Sequence, residues 1–578
     1  MAGPTAPKDP EKARPFFYIL KDKDIFGERQ KDGTGIQFIY ESDGRLINSA
    51  QITGNVTDKE ELRLLETVEG FGRLVHSIGV SVETDRSEET AEFVFQMYGK
   101  KDLYGGGTNL TTSLKCDGME HRIYLSDYRW TEDDHVPGQI KILFAAPERM
   151  GKVSVRLFLN DGYEAPPEEE DLVIDMHSEE YCGMISRSLL QLGNPYRIRK
   201  AIEKSKAGKE VTLAYIGGSI TQGAGAIPIH TECYAYKSFQ LFQNRFSTQN
   251  NVRFIKAGVG GTPSELGMIR FDRDVLREGE RPDIVVIEFA VNDEGDETKG
   301  VCYESLVRKV LKLPWKPAVV LLFSVFANDW NLQERLRPVG DLYDLPMVSI
   351  RDAVTPQFSL KCGEGRILSK NQFFYDIFHP NNTGHTIMAD CLQYLFERCD
   401  AAEPARVGTF VEGMTEEQIL SEKLSGPAVI GADFERIFLL DKKNRYVGAK
   451  IRAGSFTSTD IELQSVEMDG SLTQTPEFPY NWMYDGSRPQ MPGFEMEITC
   501  KSLFLIFKDS GEMDVGKANV FVNDVYCMTA DPHKNNWLHC NAVLLFWETE
   551  SRSHKVRIAV TEEDRNKKFT ILGFGYTI

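Results

Sequence analysis

The sequence predicts a three-layer α/β domain built on a parallel sheet, with a β-sandwich on either side of it. Three observations lead there. Over 206–402, apolar runs of strand length alternate with helical periods, as they do when helices cover both faces of a parallel sheet. Over 1–165 and 408–578, short alternating runs are broken by Gly, Asp and Asn, the pattern of all-β domains. Between the first two regions, 163–171 reads Tyr-Glu-Ala-Pro-Pro-Glu-Glu-Glu-Asp. Two prolines and a carboxylate block cannot form an element interior, so 166–205 is expected to be a linker and connecting helix.

Composition sets the outer limits. The chain has 578 residues, enough for about three domains, with 41% hydrophobic and 26% charged residues, as in ordinary globular proteins. A net charge of −19 argues against a nucleic acid or an anionic membrane as partner, because binding phosphates takes a clustered positive field. It suits a neutral substrate. No stretch approaches the roughly 18 apolar residues of a membrane helix. The ten cysteines form no Cys-x-x-Cys pair and no Cys/His set with zinc spacing, so neither metal nor cofactor is expected. Unpaired thiols and an N-terminus without an apolar h-region point to the cytoplasm, or to secretion if a leader has been removed. A homo-oligomer is left open.

In the N-terminal region the expected strands are 16–20, 35–40, 91–97, 122–125, 139–144 and 153–159, giving a jelly-roll-like accessory sandwich. Tyr104-Gly105-Gly106-Gly107 and Trp130 are candidates for a sugar-facing surface, weighed against a plain loop and a core aromatic, which is the favoured reading. Asn194 and Pro195 are expected as N-cap and first helical residue of a helix over 197–207 that stops at Gly208.

That helix feeds the stretch on which the chain turns. Val211-Thr212-Leu213-Ala214-Tyr215-Ile216 runs into Gly217-Gly218-Ser219. No Lys stands at a phosphate-loop position, since Gly223 is followed by Ala224 and Gly225, and no Gly-x-Gly-x-x-Gly is present. Ser219 therefore reads as a nucleophile at the carboxyl end of a parallel strand, where open α/β sheets bind ligands. Further strands are expected at 252–256, 283–289, 318–325 and 347–350, with helices at 236–246 and 384–399.

Chemistry-bearing residues recur at these strand ends. A serine hydroxyl needs a base, and His379 can take its proton near neutral pH. Asp376, three residues earlier, can accept the other ring N–H and hold the tautomer. The backbone N–H groups of Ser219 and Gly261 and the amide of Asn292 can meet the oxyanion of a tetrahedral intermediate. Whether Gly260 or Gly261 donates is a register choice, and Gly261 is preferred. Each piece alone has an ordinary structural explanation; their joint order does not.

The blocks Gly217-Gly218-Ser219, Gly258-Val259-Gly260-Gly261, Ala290-Val291-Asn292-Asp293 and Asp376-Ile377-Phe378-His379 resemble those of SGNH (GDSL-type) hydrolases over about 206–400. The resemblance implies a flavodoxin-like parallel sheet and a carboxylic ester hydrolase working through Ser219, His379 and Asp376. There are two departures: Gly218 replaces an Asp of the family pattern, and Ala290 a Gly. The multi-domain layout further resembles bacterial carbohydrate acetyl esterases that take O-acetyl groups from xylan or mannan oligosaccharides. On that reading Gly218, Trp330, Trp482 and Trp537 are candidate substrate-binding residues. Trp482 and Trp537 stand among amides and other aromatics in the C-terminal region, where a carbohydrate-binding or cleft-shaping domain is expected, and core packing is the competing reading for each tryptophan. The alternatives are the same chemistry on another acyl ester, such as a lysophospholipid or thioester, or an inactive carbohydrate-binding protein.

Overall fold

The computed structural model describes residues 7–39, 46–101, 105–168, 170–277, 279–402, 414–467 and 474–578. At its centre is a six-stranded sheet ordered Leu189–Gln191, Met347–Ser349, Ala318–Phe323, Ile284–Glu288, Val211–Gly217, Val252–Gly258. All pairs are parallel except that of the edge strand Leu189–Gln191. Taken in chain order, the five parallel strands run 2-1-3-4-5 across the sheet, so the winding direction reverses beside Val211–Gly217. Ligands bind at that switch point in such sheets.

The inner strands Ile284–Glu288 and Ala318–Phe323 are almost wholly apolar because both faces are covered, whereas the edge strand Val252–Gly258 carries Arg253 and Lys256. Leu213 and Tyr215 point into a core shared with the helices Tyr196–Lys206, Tyr234–Phe246 and Asn382–Ala401. Ala214 and Ile216 point the other way, into a core shared with Ser264–Phe271, Val301–Leu311 and Gln333–Tyr343. One boundary differs from expectation. The helix after Asn194 starts at Tyr196, with Pro195 at the cap and Asn194 Oδ1 accepting from the Tyr196 N–H at 2.9 Å.

The N-terminal region forms a four-stranded and a five-stranded antiparallel sheet. Ile19, Ile78 and Val155 from the first meet Phe93, Phe95, Ile140 and Ile142 from the second in one core. Three helices absent from the sequence reading, Leu46–Thr53, Lys59–Leu64 and Val68–Leu74, close that core from one side. None exceeds eight residues, too short for a helical period to stand out. Trp130 is 7% exposed and lies against Phe71, so it is a core aromatic and not a sugar-facing one. Tyr104 lies outside the described residues.

The C-terminal region is built around two long antiparallel strands, Phe494–Asp509 and His539–Val560, flanked by Phe569–Thr577 and Ala518–Val522. In the second half of Phe494–Asp509, successive residues alternate between two cores. Phe504 and Ile506 join the second core of the central sheet, while Met496, Ile498 and Leu505 fill a core of their own. The C-terminal domain is thus continuous with the central one through apolar packing. Trp482 belongs to that second, separate core. It is 5% exposed, with its ring 5.3 Å from that of Phe494, so the expectation that it binds substrate is corrected: its short strand Trp482–Tyr484 pairs with Phe569–Thr577 and turns the indole inward.

Candidate active site

Ser219 opens a four-residue helix directly after the strand Val211–Gly217. Its Oγ lies 2.9 Å from His379 Nε2, and His379 Nδ1 lies 2.9 Å from Asp376 Oδ2. The other carboxylate oxygen, Asp376 Oδ1, accepts the backbone N–H groups of Phe378 and His379 at 2.8 Å each. With the carboxylate accepting at Nδ1, Nε2 is left bare to accept the serine proton. Burial alone would raise the Asp376 carboxyl, but the neighbouring His379 and the ring and backbone N–H bonds outweigh it and hold the group below its ordinary value. The turn is closed by Tyr375 N–H donating to the His379 carbonyl at 2.8 Å, and Asn381 Oδ1 caps the following helix at Gly384 N–H.

Gly260 and Gly261 stand on the other side of Ser219. A Cβ added to Gly260 would lie 3.8 Å from Ser219 Cβ, and Gly261 has φ +70°, a conformation that favours glycine. Asn292 follows the strand Ile284–Glu288, and its amide is packed against Gly218. A Cβ on Gly218 would stand 2.2 Å from Asn292 Oδ1. With the Asn292 amide where it stands, there is no room for a side chain at position 218. Replacing Gly218 with alanine must displace the Asn292 amide. The expected result is a fall in kcat of about 10- to 100-fold with folding retained, read by steady-state turnover and a melting curve. Next to Asn292, Asp293 Oδ1 accepts the Ser264 N–H at 2.7 Å and so ties this loop to the one carrying Gly261.

Three carboxyls are buried beneath these loops. Glu288, whose Oε2 accepts from Thr221 Oγ1 at 3.0 Å, is pushed up to about 7 by burial, as is Glu265; Asp293 is pushed up to about 8. Burial favours the neutral form of each in the fold, while the unfolded chain ionises them at the ordinary carboxylate pKa. The stability they contribute is complete below the ordinary carboxylate pKa and is lost as pH rises through the folded values. The melting temperature is therefore expected to fall between about pH 5 and about pH 8, and Glu265→Gln to flatten that slope. A slope unchanged by the substitution would contradict this.

Of the candidate aromatics, Trp537 reaches the site. It is 44% exposed, and its ring lies 2.8 Å from where a Cβ on Gly261 would be. Trp330 is linked to the catalytic turn through ring contacts. It stacks on Phe326, with centroids 5.7 Å apart, and Phe326 meets Phe378 edge-on beside His379. Three residues that the sequence reading missed hold the site from behind. Arg270 Nη2 donates to the Gly217 carbonyl at 2.8 Å, Gln464 Nε2 to the Gly260 carbonyl at 2.9 Å, and His539 Nε2 lies 3.1 Å from the Gly261 carbonyl.

A serine, an imidazole and a carboxylate thus lie in one hydrogen-bonded line at the sheet's switch point, beside a glycine turn and an asparagine amide. Consistent with this, residues 215–387 match the GDSL-like lipase/acylhydrolase family, and the chain is a carboxylic ester hydrolase. Among solved structures it is similar to a two-domain esterase active on acetylated mannans, at 23% identity and TM-score 0.54, covering 68% of this chain and 98% of that one. The same esterase co-crystallised with mannopentaose gives 24% identity and TM-score 0.53 over 68% of this chain and 98% of the other. An acetylxylan esterase from Geobacillus stearothermophilus is 19% identical, with TM-score 0.26, over 34% of this chain and 97% of its own. At 23% and 24% identity the likeness to the mannan-active esterase is one of fold. No curated protein matches the chain in sequence.

Proposed function

We propose that the chain is a serine esterase that removes O-acetyl groups from neutral oligosaccharides of mannan or xylan type through an acyl-enzyme intermediate. The observation that carries the chemistry is the line from Ser219 Oγ through His379 to Asp376, with 2.9 Å at each contact. Ser219 Oγ attacks the acetyl carbonyl while its proton passes to His379 Nε2, and Asp376 stabilises the imidazolium. The oxyanion sits among the N–H groups of Ser219 and Gly261 and the Asn292 amide. Collapse breaks the bond to the sugar oxygen, which leaves as a hydroxyl with the proton from His379. Water then attacks the acetyl-serine by the same route, releasing acetate and restoring Ser219.

The substrate class rests on other features. Trp537 offers a half-exposed aromatic face beside Gly261, the kind of surface on which sugar C–H faces stack, and the net charge of −19 favours a neutral ligand. An esterase of similar fold is active on acetylated mannans, which makes mannan oligosaccharides the first substrate to try. In this reading the central domain has three α/β/α layers, the N-terminal sheets form a jelly-roll-like sandwich, and the C-terminal sandwich shapes the cleft. A cytoplasmic location, acting on oligosaccharides after uptake, belongs to the same proposal and rests on the cysteine pattern.

Trp537→Ala tests the substrate class. Its selectivity, kcat/KM on acetylated manno-oligosaccharide relative to p-nitrophenyl acetate, is expected to fall about tenfold, the weight of one stacked ring at roughly 1 kcal/mol. An unchanged ratio would remove Trp537 from sugar recognition.

A further inference from the structure

We propose that the C-terminal domain sets the oxyanion hole: Gln464 and His539 are positioning residues that hold the carbonyls of the Gly260–Gly261 turn, with Asp509 holding His539. The inference rests on the serine-esterase reading above and extends it to residues far from the catalytic blocks.

The need for such a device follows from the sequence. Two successive glycines lose more conformational freedom on folding than any other pair, and they bring no side chain to fix the turn. An oxyanion hole works only if its donors are already aimed before charge develops. Here the aiming comes from outside. Gln464 Nε2 donates to the Gly260 carbonyl at 2.9 Å, and that carbonyl shares one planar peptide with the Gly261 N–H. In a trans peptide the two point in opposite directions. Fixing the oxygen therefore fixes the direction of the N–H, and the bond also polarises it toward a better donor. His539 Nε2 holds the next carbonyl, that of Gly261, at 3.1 Å. Gly261 is exposed and at positive φ, and on the C-terminal-domain side these two bonds restrain the turn together with the Trp537 ring packed on Gly261.

Both side chains are themselves held. Gln464 is 9% exposed; its Oε1 accepts the Cys540 N–H at 3.0 Å, and its backbone carbonyl accepts the Glu477 N–H at 2.7 Å. His539 is 6% exposed, with Nδ1 2.9 Å from Asp509 Oδ2. Asp509 is fully buried and also accepts from Asn535 Nδ2 at 2.5 Å. A carbonyl only accepts, so the contact at Gly261 is made by a ring N–H on Nε2. Gln464 Nε2 and His539 Nε2 both meet backbone carbonyls of the glycine turn. Adjacent residues 539 and 540 and the distant Gln464 converge on one turn across sequence separations of 204 and 278 residues, which no local turn geometry requires.

The test uses the full chain and p-nitrophenyl acetate, a substrate without a sugar. Gln464→Glu keeps an acceptor for the Cys540 N–H and removes the donor to Gly260. His539→Leu removes the donor to Gly261, whereas His539→Gln keeps an amide donor of similar reach. The expected result is a fall in kcat of about 10- to 100-fold for Gln464→Glu and His539→Leu, with KM within about twofold and most of kcat regained in His539→Gln. Should His539→Leu fail to fold, Gln464→Glu carries the test. Folded variants with kcat within about twofold of the parent would overturn the inference. Ser219→Ala in the same assay separates the two layers. Parent turnover that does not depend on Ser219 defeats the esterase reading itself, while Ser219-dependent turnover untouched by Gln464→Glu defeats only this extension.

Discussion

With Ser219 replaced by alanine, turnover of p-nitrophenyl acetate is expected to fall by about 10⁴-fold or more, the scale on which a serine hydrolase loses rate when its nucleophile is removed. The physical reason is specific to this geometry. Without the hydroxyl 2.9 Å from His379 Nε2, no acyl-enzyme can form, and only the oxyanion donors and binding remain. The measurement is kcat for the two proteins, together with mass spectrometry of acid-quenched samples, where an acetylated serine is expected in the parent alone. An alanine variant that keeps its turnover would mean that the hydroxyl is a bystander.

Asp376→Asn is expected to cost about 10⁴-fold in kcat while leaving the fold intact. Asp376 receives three N–H groups, two from the backbone at 2.8 Å and one from the His379 ring at 2.9 Å. An asparagine has one accepting oxygen and must turn it either to the backbone or to the ring. With the backbone pair satisfied, the NH₂ faces Nδ1 and favours the tautomer that carries its proton on Nε2. That ring then donates toward Ser219 instead of accepting from it. Steady-state kcat reads the loss, and near-normal turnover would show that the carboxylate does not set the tautomer.

Much of the catalytic region is legible in the sequence because its physics is local. A parallel strand buried on both faces reads as a continuous apolar run, as Ile284-Val285-Val286-Ile287 does, and the runs ending before Ser219 and Asn292 lead directly to candidate site residues. Asp376 and His379 share one tight turn, so their spacing alone brings them together. What the sequence hides is non-local. Gln464 and His539 reach the glycine turn from another domain and leave no periodic mark. Trp482 and Trp537 look alike as letters, each among aromatics and amides. One lies in a strand that turns it into a core, and the other precedes the strand His539–Val560 and stays half-exposed against Gly261. The glycine at 218 reads as a departure until the Asn292 amide is seen to occupy the space that a side chain would need.

The most direct test of the account is acetate release from acetylated manno-oligosaccharides, comparing the parent chain with Ser219→Ala. Steady release by the parent is expected, with none above background from the variant. Aryl acetate cleaved by the parent while acetylated manno- and xylo-oligosaccharides both remain intact would contradict it and move the substrate to another class of acyl ester.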